Sequence, residues 1–202
     1  MNLKIETDSG PASNHSRKNI YGQCWTLNDE TDAMWRIYSK DCTGVKVKTT
    51  IRKLFESFVE SCQAFQNQYC YIGKVNYHTR PDFNNLVSKF EETDGWSPTG
   101  ILEAQTFLHK REAFSHENEI RLNSFHWEKN PSSKSFKYEC KPNSLFSEIV
   151  LDPRLEQEEV ITIVEKLSKM GIKKELISQS DLYKIDESEI RTLKLARNSK
   201  NA

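Results

Sequence analysis

The 202-residue chain is predicted to adopt an α+β fold, a mixed β-sheet flanked by helices in a single domain. Three observations carry this. Residues 21–50 read as strand, capped helix and second strand; strand and helix patterns alternate through the first half; strand patterns cluster in the second half. Residues 20–183 are expected to form the domain, 1–19 a flexible arm and 184–202 a charged tail.

In the arm, Asp8-Ser9-Gly10-Pro11 and a string of Ser, Asn and basic residues offer no apolar period, so residues 1–19 are expected to be loose. Tyr21 to Leu27 alternates as a strand. Asn28 is a preferred N-cap and Asp29, Glu30 and Asp32 an acidic first turn, so a helix through Lys40 is expected, with Ala33, Met34, Ile37 and Tyr38 as its buried arc and Trp35 beside it. Val45 and Val47, alternating with Lys46 and Lys48, give a second strand. Thr50 can cap a helix whose apolar positions Ile51, Leu54, Phe55, Phe58, Val59, Cys62 and Phe65 repeat at three and four.

Tyr69 to Tyr77 is rich in aromatic and β-branched residues and reads as a strand broken by Arg80-Pro81-Asp82. Phe83, Leu86, Val87 and Phe90 mark a short helix, and Glu91 to Gly100 a loop that holds Trp96. Thr99 or Gly100 opens a helix to about His109 that continues into Lys110-Arg111-Glu112. Ser115 to Trp127 is predicted as one strand, with Ile120 and Leu122 on one face and Glu117, Glu119 and Arg121 on the other. After the turn at Asn130 to Ser133, Ser135 to Cys140 is expected to return as its partner. Glu148 to Leu151 is a short apolar strand closed by Asp152-Pro153-Arg154. Val160, Ile161, Val164 and Leu167 trace a helix over Leu155 to Met170, stopped by Gly171, and Ile172 to Ile177 is a last strand.

Charge and motifs narrow the function classes. The 29 basic and 29 acidic residues cancel, which gives no expectation of a whole-surface nucleic-acid or membrane binder. Five cysteines without a C-x-x-C pair suggest neither a disulfide framework nor a zinc site, and no metal site is expected. Without an apolar run of bilayer length or a signal-peptide segment, a cytoplasmic protein with no membrane contact is expected. The absence of a P-loop, a dinucleotide glycine fingerprint, a nucleophile elbow and an H-E-x-x-H motif argues against the enzymes that use them.

Two carboxylates two residues apart on a strand project to the same face, about 6 to 7 Å apart. Glu117 and Glu119 are therefore the candidate catalytic pair, one to orient a substrate hydroxyl and the other to stabilise developing positive charge. The alternative is a solvated strand face on which Arg121 and Lys110 balance the acids. Lys110, Arg111 and Arg121, with His109 and His116, are candidate ligands for a phosphate or a nucleic-acid backbone, since guanidinium groups bind such oxygens in pairs; the alternative is a charged connector. Trp35 is a candidate wall of the same cleft or a core residue. Arg154 is a candidate ligand-binding group at a sheet end, or part of a turn.

At Cys24-Trp25-Thr26, Ala33 to Tyr38 and Gly44 to Thr50 the chain resembles the bacterial family called domain of unknown function 2971. Phe107 to Leu122 is similar to that family's run of basic residues, an aromatic and E-x-E-x-R; Glu148 to Arg154 and Ser180 to Tyr183 are similar to its later blocks. The resemblance implies an association with bacterial antiviral defence or mobile elements, and no established reaction. Family members usually carry a further strand and helix ahead of the C-W-[ST] strand, so a second chain supplying that block is one expected partner. Glu117-Asn118-Glu119 also resembles, weakly, the E-x-E strand of mono-ADP-ribosyltransferases, which implies NAD or another nucleotide as ligand. The competing expectation is a non-catalytic binding module that docks a protein or nucleic-acid partner through the arm, Trp96 and the tail.

Overall fold

The computed structural model describes residues 2–6, 20–62, 68–92, 101–126 and 135–185. In chain order, β1 (Asn2–Glu6) and β2 (Ile20–Thr26) precede helix α1 (Asp32–Tyr38), β3 (Val45–Lys48) and α2 (Ile51–Cys62). Next come β4 (Gln68–Lys74), β5 (Asn76–His78), α3 (Arg80–Glu92), α4 (Ile101–Thr106), β6 (His109–Arg111), a 3-10 turn (Glu112–Glu117) and β7 (Glu119–His126). The chain then forms β8 (Ser135–Glu139), α5 (Pro142–Leu145), β9 (Glu148–Leu151), α6 (Gln157–Lys169), a second 3-10 turn (Lys174–Leu176) and β10 (Ile177–Gln179). Helices and sheets of both pairing senses give the α+β class that the patterns predict. Among the described residues no helix is long and apolar enough to cross a membrane.

Two compact units share these elements, residues 1–29 with 49–146, and residues 30–48 with 147–202. The first holds an antiparallel sheet of order β4-β7-β2-β1-β8 and a two-stranded parallel ribbon of β5 and β6. Asn2 to Glu6 pairs residue for residue with β8, so part of the expected loose arm is a strand. β8 consequently pairs with β1 and not, as expected, with β7. The physical reason is that β7 already has β2 on one edge and β4 on the other, which leaves it no free ladder.

Thr50 caps α2 as predicted, its hydroxyl accepting from Lys53 N at 3.2 Å. Leu54 and Phe58 of that helix are buried, and the Phe58 ring meets Tyr138 edge-on at 4.8 Å between centroids. A second cluster is formed by Ile20, Ala104 and Phe125, with Tyr71 and Phe107 against it. The strand expected over Tyr69 to Tyr77 is broken after buried Val75, whose N–H still donates to Glu119 O of β7 at 2.9 Å, whereas the next N–H, of Asn76, donates to Leu108 O at 2.7 Å. His109 to Arg111 is a strand beside β5 where a helix end was expected.

In the second unit β9 lies between β3, antiparallel, and β10, parallel. Helix α1 starts at Asp32, three residues later than predicted, because Thr31 is the cap and accepts from Met34 N at 3.3 Å. The expected cap Asn28 is held elsewhere, donating to His116 O and accepting from Asn118. The buried arc of α1 is also corrected. Trp35 is buried, whereas Ile37 and Tyr38 are exposed, since a helix of seven residues anchored by one indole turns only a narrow stripe inward. Helix α6 carries a capping box of Glu156 and Glu159 and ends at Gly171, whose φ of 87° suits glycine. Ile161 of that helix is exposed and does not join Val160 in the core. The last strand begins only at Ile177, because residues 174–176 close a 3-10 turn through Leu176 N to Lys173 O. Phe65, Trp96, the turn at 130–133 and the tail after Ile185 lie outside the described residues.

Candidate functional site

The E-x-E-x-R stretch is less regular than its spacing predicts. Glu117 closes the 3-10 turn, Asn118 takes the left-handed conformation with φ of 42°, and β7 starts at Glu119. The two acids therefore do not share a strand face. Asn is among the few residues that adopt this conformation readily. Its carbonyl accepts from Leu27 N at 3.0 Å and its amide bonds Asn28. Thr26 Oγ1 donates to Glu117 O at 2.7 Å, tying the turn to the end of β2.

Both carboxylates still converge on one cation. Lys110 Nζ, from β6, donates to Glu117 Oε2 and, at 3.2 Å, to Glu119 Oε2. From the other side Arg121 grips Glu119 with two bonds, Nε to Oε1 at 2.7 Å and Nη2 to Oε2 at 3.1 Å, and sends Nη1 to Phe107 O at 2.7 Å. The Glu119 N–H donates to Tyr77 Oη at 2.9 Å. Gly73 lies opposite Arg121 across the sheet, and a Cβ there would come within 2.4 Å of Leu108 Cδ1, so the Leu108 side chain would have to shift.

Charge balance explains why the group can be buried. Lys110 and Arg121 offset Glu117 and Glu119, and the Glu119 side chain is only 4% exposed. Burial alone would raise its pKa, but hydrogen bonds from Arg121 and Cys24 and the charges of Arg121 and Lys110 override it and hold Glu119 below the usual carboxylate range. Desolvation acts against Lys110 too, and the two glutamates nevertheless raise its pKa. Cys24 is surface-exposed as a residue, yet its thiol end is desolvated against Glu119 and pushed up to about 12, so it acts as a protonated donor and not as a nucleophile.

Arg111 stands beside this cluster. It is exposed, its guanidinium lies 5.2 Å from the centre of the Phe114 ring, and Lys110 Nζ lies 4.9 Å from the same ring. Among the described residues Arg111 has no ion pair. Trp35 and Arg154 belong to the second unit and have partners there. Trp35 Nε1 donates to Glu30 at 2.7 Å, and Glu30 also takes Ser180 Oγ and Lys46 Nζ. Arg154 is a turn residue, bonded through N, Nε and Nη2 to Asp152 and through Nη2 to Ser39 O. An open cleft of about 440 Å³ in the first unit is lined by Lys53, Glu56, Glu60, Glu139 and Lys141 among others, and none of the predicted site residues lines it.

Sequence reasoning missed Tyr77, Cys24 and His78. For Tyr77 and His78 the signal was the alternation of Asn76-Tyr77-His78 against His109-Lys110-Arg111, legible only if the second triplet is read as a strand. It places Tyr77 and Lys110 on the face of the ion cluster and His78, His109 and Arg111 on the other.

The family described as Protein of unknown function (DUF2971) matches residues 34–122, so the resemblance read from the sequence holds over that stretch, which ends one residue after Arg121. No curated protein and no solved structure matches the chain.

Proposed function

We propose that the chain binds a nucleotide, NAD or another, through the phosphate groups, with Arg111 as the anion-binding side chain and Phe114 as an apolar platform beside it. In this reading Glu117 and Glu119 position cations and do not attack or deprotonate a substrate. One observation carries it: both carboxylates are already taken up by Lys110 and Arg121, whereas Arg111 is exposed over an aromatic ring with no acidic partner among the described residues. A guanidinium beside an aromatic face suits both the charged and the planar parts of a nucleotide. An antiviral-defence role in the bacterial cytoplasm is part of the proposal and rests on the family resemblance.

The test is a thermal-shift titration with NAD, ATP, GTP, pyrophosphate and short RNA and DNA. A ligand held only by the folded protein should raise its melting temperature. Arg111→Ala should weaken that ligand roughly tenfold, the loss of one charge-assisted bond, while its own melting temperature stays that of the wild type. A nucleotide shift untouched by Arg111→Ala, or none at all, sinks the proposal. A response to RNA or DNA without one to mononucleotides would favour the nucleic-acid docking module instead.

A further inference from the structure

Behind the ion cluster, on the opposite face of the β5–β6 ribbon, two imidazoles point at each other. His78 Nε2 lies 2.8 Å from His109 Nδ1, with ring centres 4.9 Å apart and planes inclined by 41°. At that distance one ring donates a proton and the other must offer a lone pair, so at least one of the two is neutral. Desolvation, and then the neighbouring His78, lower the His109 pKa. Two partly buried nitrogens that share one proton become two lone pairs aimed at one point when that proton moves to the donor ring's other nitrogen or, from a singly charged pair, to solvent.

We infer that His78 and His109 form a two-ligand site for a divalent transition metal such as Zn²⁺, Ni²⁺ or Co²⁺. Imidazole suits these ions, whereas Mg²⁺ and Ca²⁺ select oxygen. With metal–nitrogen bonds of about 2.0 to 2.1 Å at a tetrahedral angle, the nitrogens need to stand roughly 3.3 Å apart, an opening of about half an ångström. As the metal enters, a singly charged pair releases the shared proton to solvent and a neutral pair shifts it to the donor ring's other nitrogen, so that both ligands are neutral imidazoles. Among the described residues no third His, Cys, Asp or Glu completes a cluster. Metal binding itself does not depend on the nucleotide proposal.

Titration with Co²⁺, followed by visible absorbance, and with Zn²⁺, followed by calorimetry, tests this in the full chain. One metal per chain is expected, with affinity about tenfold or more weaker in His78→Ala and in His109→Ala. If an alanine variant melts early, His109→Gln keeps a hydrogen-bonding group without the imidazole ligand and must show the same loss. Binding no stronger than to Mg²⁺, binding unchanged in the variants, or an intense near-ultraviolet band from sulfur ligation would each overturn the site. Loss of nucleotide binding in Arg111→Ala with metal binding intact would separate the two proposals.

Discussion

The two units each contain a buried carboxylate held by an arginine two residues further on, and they differ in what else is attached. In the second unit Asp152 and Arg154 form a local turn lock. The carboxylate is fully buried, accepts the Arg154 backbone and side chain, and the guanidinium continues to Ser39 O. In the first unit Glu119 and Arg121 lie along a strand, and the cluster draws on β5, β6, the 3-10 turn and β7. A turn lock needs only its own tripeptide and one neighbour. A four-element cluster is specified by the fold, and it presents a more exposed end, with Lys110 at 24% and Glu117 at 13% against 4% for Glu119.

Removing the acid at each centre sharpens that contrast. Glu119→Ala should have the largest effect, because it leaves Arg121 and Lys110 without their shared partner in a dry site; a loss on the order of 3 kcal/mol is expected by urea denaturation. A loss below about 1 kcal/mol would mean that the cluster is solvated and the comparison mistaken. Asp152→Asn should cost less, since Arg154 keeps the Ser39 carbonyl.

Acid titration then reads the turn lock. The hydrogen bond from Arg154 holds the Asp152 carboxyl down to about 2, against an ordinary 3.8. A folded-state pKa below the unfolded one gives stability that is complete above the unfolded value and fades as pH falls toward the folded one. The wild-type melting temperature should therefore drop between about pH 4 and pH 2 more steeply than that of Asp152→Asn. Equal slopes would assign acid sensitivity to other carboxylates, Glu119 first among them.

Glu117→Gln tests the exposed end. Lys110 retains Glu119, so a stability change under about 1 kcal/mol is expected, together with unchanged or tighter binding of an anion, because Lys110 is then less fully neutralised. The smallest effect belongs to Asp32→Asn on the surface of α1. Its pairing with Arg36 at 2.8 Å and with Tyr183 is solvent-exposed, and the melting temperature should not move.

Some of this was legible in particular residues. Thr50 announced α2, Gly171 ended α6, and the alternation of Glu119-Ile120-Arg121-Leu122 sorted acid and base from core, since caps, turns and strand faces depend on neighbours within a few residues. The break between Glu117 and Glu119 was not legible, because the left-handed Asn118 is stabilised by Asn28, far away in the chain. Nor was the meeting of His78 with His109, which follows from parallel pairing of two three-residue strands too short to show a period, whereas the balancing of the acids by Lys110 and Arg121 was one of the two readings of that stretch.

Local chemistry thus set most of the longer elements, the α+β class and the identity of the charged residues. Tertiary structure decided which charges meet. An isolated Glu or His is stable in water with any partner or none, so only burial among specific neighbours makes one pairing cost less than the rest.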